Sequence, residues 1–133
     1  MKKGLILYGA LACLLAVAGC GGSSGGKISN NNATGCTVTT ATATTSVTAS
    51  DSNYTFAFTP SCIKISSGQT VTWTNAGSMN HTVTSDSGAP VTFDSGSLSP
   101  GQTFSHTFSS PGTIGYHCTY HVSYGMKGTV IVQ

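Results

Sequence analysis

Gly112-Thr113-Ile114-Gly115-Tyr116-His117-Cys118-Thr119-Tyr120-His121-Val122-Ser123-Tyr124-Gly125-Met126-Lys127-Gly128-Thr129-Val130-Ile131-Val132 lies at the end of the sequence and decides how the rest is read. Pro111-Gly112 turns into a short extended run, Ile114 to Cys118, and Gly128 to Val132 is a second, β-branched one. Neither has a helical period, so two strands joined by a tight connection are expected. The connection carries Cys-x2-His-x4-Met. A thiolate at the end of one strand and a thioether at the start of the next let the turn between them wrap a single metal ion. A second imidazole, His81, lies far upstream in another extended run, His81-Thr82-Val83-Thr84, and would staple that turn to the other part of the fold.

Outward from this stretch the period-two signal continues. Tyr54-Thr55-Phe56-Ala57-Phe58 alternates and is broken by Thr59-Pro60; Cys62-Ile63-Lys64-Ile65 ends at Ser66-Ser67-Gly68; Val71-Thr72-Trp73-Thr74 follows. Val91-Thr92-Phe93 precedes a loop with Gly96, Pro100 and Gly101, and Phe104 and Phe108 lie in a strand near 102–109. Short strands at about 8–12-residue spacing, punctuated by turn residues, indicate an all-β antiparallel sandwich. Trp73 alternates with Val71 and reads as core, Met79 as loop packing, and His106 as pointing to solvent. His117, next to Cys118 on a strand, is expected to face away from whatever Cys118 binds.

The 133 residues suffice for one domain with a real core. Charged residues are only 6% of the chain, but they come with alternating Val, Ile, Phe and Thr, so a β-rich globular domain is expected rather than disorder. Beyond residue 20, Lys27, Lys64 and Lys127 balance Asp51, Asp86 and Asp94, and there is no Arg. No basic patch exists to neutralise phosphates, which excludes nucleic acid as a partner. Lys2 and Lys3 followed by the apolar Leu5–Ala16 read as an export signal. The apolar stretch of about 15 residues is short for a bilayer core of ~30 Å. Its ending, Val17-Ala18-Gly19-Cys20, resembles the lipobox of bacterial lipoproteins. That implies a signal peptide over 1–19, a lipidated Cys20, and a domain anchored to a bacterial membrane, in the periplasm or at the cell surface. Residues 20–50, beginning Gly21-Gly22-Ser23-Ser24-Gly25-Gly26, read as the tether, with 37–50 either a first strand or spacer, and residues 51–133 as the domain. With Cys13 in the signal, Cys20 lipidated and Cys118 in the motif, Cys36 and Cys62 remain, as a disulfide in an oxidising compartment or as two buried thiols.

Two imidazoles, a thiolate and a thioether match the blue-copper donor set, in which the soft sulfur ligands favour Cu(I) and imidazole serves both oxidation states. Residues 51–133 resemble the plastocyanin-like branch of the cupredoxins. The resemblance rests on Phe58-Thr59-Pro60, Gly68-Gln69-Thr70-Val71-Thr72-Trp73-Thr74-Asn75, His81-Thr82-Val83, Phe93-Asp94-Ser95-Gly96 and the stretch quoted first. It implies a Greek-key β-sandwich, one copper per chain, and His81, Cys118, His121 and Met126 as its ligands. It also implies a partly exposed His121 near which redox partner proteins dock, and a monomeric one-electron carrier that is not an enzyme and has no small-molecule substrate. Thr82 stands where the family often has Asn, and its hydroxyl could make a similar bond to the Cys118 loop. The acidic patches of plant plastocyanins are missing, so docking would rest on a weakly charged or apolar face. The competing reading keeps the same ligands for copper delivery, storage or resistance. The His117-Cys118 pair also occurs in copper nitrite reductases, but this chain has one domain and no second ligand cluster.

Overall fold

The computed structural model describes residues 35–133. The signal and the lipidation expected at Cys20 lie outside the described residues. Among the described residues nine strands follow in order: β1 (Thr42–Ala43), β2 (Ser46–Ser52), β3 (Thr55–Thr59), β4 (Cys62–Ile65), β5 (Thr70–Asn75), β6 (Thr84–Ser85), β7 (Thr103–Thr107), β8 (Gly112–His117) and β9 (Lys127–Val132). A single 3₁₀ turn, Val122–Tyr124, interrupts them. One sheet has the order β1-β4-β9-β8-β6 and the other β3-β2-β5-β7. They face each other across one core.

Period-two alternation builds that core. Val71 and Trp73 of β5 point inward beside Val47 and Ala49 of β2, against Ile63, Ile65, Ile114, Tyr116, Val130 and Val132 of the other sheet. Trp73 is fully buried within an aromatic group whose ring centroids lie 5.4 Å (Tyr116), 5.8 Å (Phe93 and Phe104) and 6.4 Å (Phe108) away.

Four sequence expectations change. The sandwich is mixed, not antiparallel: β1–β4, β2–β5 and β4–β9 pair in parallel. Consecutive strands such as β4 and β5 sit in different sheets, so the parallel pairs form by crossovers, while β2–β3 and β8–β9 pair antiparallel as chain neighbours. The folded unit also begins before residue 51. Val47 and Ala49 are buried while Ser46, Thr48 and Ser50 face outward, so the Thr/Ala/Ser/Val run is a strand written in small residues. His106 lies on the inner side of β7, its ring 5.0 Å from Phe93 and 4.9 Å from Phe108. It stands two residues from both Phe104 and Phe108, and period two puts all three on one face. The run beginning at His81 is mostly irregular: His81 makes an isolated bridge to Leu98, and only Thr84–Ser85 counts as strand.

Cys36 and Cys62 form a disulfide with Cα atoms 5.5 Å apart. It fixes the start of the described chain to β4, over a small cluster of Cys36, Ala41 and Ile131.

Candidate metal centre

The connection between β8 and β9 folds back on itself through its backbone. The amide of His121 donates to Cys118 O (3.1 Å) and that of Met126 to His121 O (3.3 Å), while the amide of Cys118 donates to Met126 O (3.1 Å). The 3₁₀ turn ends at Gly125, whose φ of 82° is a left-handed conformation that glycine adopts without penalty. Cys118 and Met126 are thereby brought together at one end of the sandwich, both fully buried. His81 comes from across the core. Its bridge to Leu98 is closed by two backbone bonds of 3.0 and 2.8 Å. The Asn75 side chain, also fully buried, donates to Met79 O (2.8 Å) and Leu98 O (2.9 Å) and accepts from the Gly77 amide (2.9 Å). That satisfied amide fixes the loop from which His81 projects.

The ligand atoms of His81, Cys118 and His121 all lie within 4.8 Å of one another, and all three residues are buried. His81 Nδ1 is 3.7 Å and His121 Nδ1 3.4 Å from Cys118 Sγ. Taking about 2.0 Å for a metal–imidazole bond and about 2.3 Å for a metal–thiolate bond, a trigonal arrangement separates N from S by about 3.7 Å. The observed spacing therefore fits one ion between the three donors, and two imidazoles with one thiolate is the trigonal set that copper takes. The Thr82 amide points at Cys118 Sγ from 3.3 Å, a donor that stabilises thiolate charge. The Thr82 hydroxyl accepts from the Thr119 amide (2.8 Å) and lies 3.1 Å from the Thr119 hydroxyl, tying the His81 segment to the Cys118 loop.

The family model for copper binding proteins of the plastocyanin/azurin family matches residues 43–133. The chain belongs to that family. Its sequence is 38% identical over 84 residues to plastocyanin of Scenedesmus fuscus, an alignment covering 57% of this chain and 86% of the relative. It is 40% identical over 80 residues to halocyanin of Natronomonas pharaonis, covering 59% of this chain and 49% of the relative, so it spans about half of that protein. Among solved structures, a purple cupredoxin from Nitrosopumilus maritimus superposes with a TM-score of 0.58 at 32% identity, over 66% of this chain and 98% of that one. Members of the family bind one copper, and in this chain His81, Cys118 and His121 are the ligand group for it.

His121 differs from its expected partial exposure: only 6% of its surface is accessible. The Phe56 ring stacks on it with centroids 4.0 Å apart and planes 7° from parallel, and Tyr124 lies beyond, 5.1 Å from Phe56. Burial first, and then the neighbouring His81, hold the His121 imidazole below its usual pKa, with Asp51 opposing in part. A low pKa keeps a nitrogen lone pair free for a metal. Around it Tyr120, Val122 and Tyr124 are exposed. His117 faces away, its Nδ1 2.6 Å from Asp86 Oδ1 on the outer side of β8.

Two contributors were not legible in the motif. Phe56 reads only as one member of an alternating strand. Asp51 sits 30 residues before His81, and its Oδ1 lies 3.1 Å from His81 Nε2. The same oxygen accepts from the amides of Ser78 (2.8 Å) and Met79 (3.1 Å), and Oδ2 accepts from the Ser78 hydroxyl (2.7 Å). Those bonds, the Ser78 hydroxyl and Met79 amide above all, hold the Asp51 carboxyl down to about 2.

Proposed function

We propose that this domain is a one-electron carrier with a mononuclear blue-copper centre, tethered outside the cytoplasm. The donor geometry carries the reading: two imidazole nitrogens at 3.7 and 3.4 Å from the buried sulfur of Cys118. A copper held there supplies one-electron exchange between Cu(I) and Cu(II). The chain's own part is rigidity and exclusion of water. His81 is locked by its bridge to Leu98, Cys118 and His121 by the backbone bonds of their loop, and Phe56 closes the outer side. Met126, fully buried and bonded through its backbone to Cys118 and His121, is the residue whose thioether would complete the donor set as a weak ligand. These four donors leave no position open for a substrate, which favours a carrier over an enzyme.

A redox partner protein docks on the face made by Tyr120, Val122 and Tyr124, beside His121. That face carries no acidic or basic cluster, so docking depends on apolar contact and shape, with little electrostatic steering. The domain acts as a monomer. The lipobox-like Val17-Ala18-Gly19-Cys20 supports a lipid anchor at Cys20, and the Cys36–Cys62 disulfide suits a periplasmic or cell-surface location.

Copper retention through repeated reduction and reoxidation, with a Cu(I) chelator present throughout, tests the carrier reading. A carrier keeps one copper per chain over many cycles. Transfer of the copper to the chelator in the first reduction would point instead to copper delivery. Mass spectrometry of the protein isolated from membranes tests the tether: a diacylglyceryl group on Cys20 is expected, and an unmodified Cys20 would remove the anchor.

A further inference from the structure

The copper ligand His81 has an ionised partner from a distant strand. His81 Nδ1 faces Cys118 Sγ, and on the opposite side of the ring Nε2 meets Asp51 Oδ1 at 3.1 Å. The Asp51 side chain is only 9% exposed and His81 is fully buried, so water competes weakly for this bond. Asp51 Oδ1 already accepts two backbone amides and Oδ2 a hydroxyl, all donors, so the carboxylate has no proton to give to the ring. The proton between Asp51 and His81 therefore sits on Nε2, which leaves Nδ1 as a lone pair aimed at the metal position.

From this geometry we infer that Asp51 is a positioning residue that sets the reduction potential of the copper centre. It fixes the His81 tautomer and ring orientation and, by pulling on the Nε2 proton, makes Nδ1 a stronger donor. A stronger donor, with a negative charge behind it, favours Cu(II) over Cu(I) and lowers the potential. The carboxylate is also the hub of the Gly77–Met79 loop, which is why position 77 is glycine: a Cβ there would collide with Asp51 Oδ1. The inference rests on His81 ligating through Nδ1, and so on the copper reading above.

Asp51→Asn separates tuning from scaffolding. The Asn Oδ1 can still accept from Ser78, Met79 and His81, and its amide can donate to the Ser78 hydroxyl, so the loop keeps its shape while the charge is lost. Partners of metal-bound histidines are typically worth about 10–100-fold in metal affinity. The expected result is about a tenfold or greater loss of Cu(II) affinity with little change for Cu(I). That selective loss reads as a rise in potential of about 59 mV per factor of ten. Gly77→Ala attacks the same bond differently, pushing the carboxylate off His81 while keeping its charge, and is also expected to raise the potential. Both variants are loaded with copper and compared with the unsubstituted protein by visible spectrum, by Cu(II) and Cu(I) competition titrations and by redox titration. A raised potential in either variant, with the visible band retained, supports the role. Unmoved potentials in both, with the band intact, would overturn it for Asp51 alone. Absence of the band in the unsubstituted protein would overturn the copper reading, and this inference with it.

Discussion

Tyr116 and Gly128 face each other across β8 and β9, just behind the loop that carries Cys118, His121 and Met126. A Cβ on Gly128 would fall into the Tyr116 ring, 2.7 Å from Cε1 and closer still to Cζ and the hydroxyl. The ring has nowhere to go: it is fully buried, with Phe58 at 4.8 Å and Trp73 at 5.4 Å between centroids. Overpacking of a core costs about 1–3 kcal/mol, and a ring without room to rotate puts Gly128→Ala at the upper end, about 3 kcal/mol. For a domain of this size that is a fall in Tm of about 12–24 °C. Tyr116→Ala by itself should cost about 3–5 kcal/mol, as truncation of a buried aromatic does. In that background the added methyl meets empty space, and Gly128→Ala should cost nothing or stabilise slightly. Urea unfolding of the copper-free protein and its three variants measures the coupling, expected near about 3 kcal/mol. Equal costs of Gly128→Ala in both backgrounds would refute the argument, because the Tyr116 ring would then not be what excludes a side chain at 128.

The turn between β2 and β3 places Asn53 and Tyr54 at φ of 47° and 60°, and Tyr54 is 90% exposed. Tyr54→Gly relieves a left-handed conformation worth about 1–2 kcal/mol, partly offset by the entropy of glycine, so a gain of about 0.5–1 kcal/mol is expected in thermal unfolding. Asp51 is held from 3.8 down to about 2, so its contribution to stability is complete above pH 3.8 and lost as pH falls through about 2. The stability gap between copper-free unsubstituted protein and Asp51→Asn should accordingly be constant above about pH 4 and close toward pH 2; a gap independent of pH would contradict the assignment. Met126→Leu should leave copper bound and raise the reduction potential, since removing a weak donor disfavours Cu(II); redox titration with an unchanged potential would take Met126 out of the ligand set.

The metal loop was legible because its chemistry is local: Cys118, His121 and Met126 lie on one short connection, and strands on either side announce themselves by alternation. β4 begins and ends where Cys62-Ile63-Lys64-Ile65 does, since four alternating residues between turn signals leave little choice. Strand direction was not legible. Alternation says which side chains face the core, not which distant strand lies alongside, and the parallel pairs β2–β5 and β4–β9 join segments far apart in sequence. β2 was obscured because its inward residues are small, Val47 and Ala49, in a background of Thr and Ser. His106 was legible and misread, for the period that places Phe104 and Phe108 inward places it there too. Asp51 carries no sequence signal at all. One acidic residue at the end of a polar strand becomes a partner of His81 only when β2 is laid beside β5, whose following loop carries Ser78, Met79 and His81.

Electron transfer by this domain depends on a copper ion bound by the Cys118 thiolate. Visible absorption of the protein and of Cys118→Ser, each titrated with Cu(II), tests it most directly. An intense blue band is expected that saturates at one copper per chain, bleaches on one-electron reduction, returns on reoxidation, and is absent from Cys118→Ser. No band in the unsubstituted protein, or the same band in Cys118→Ser, would contradict it.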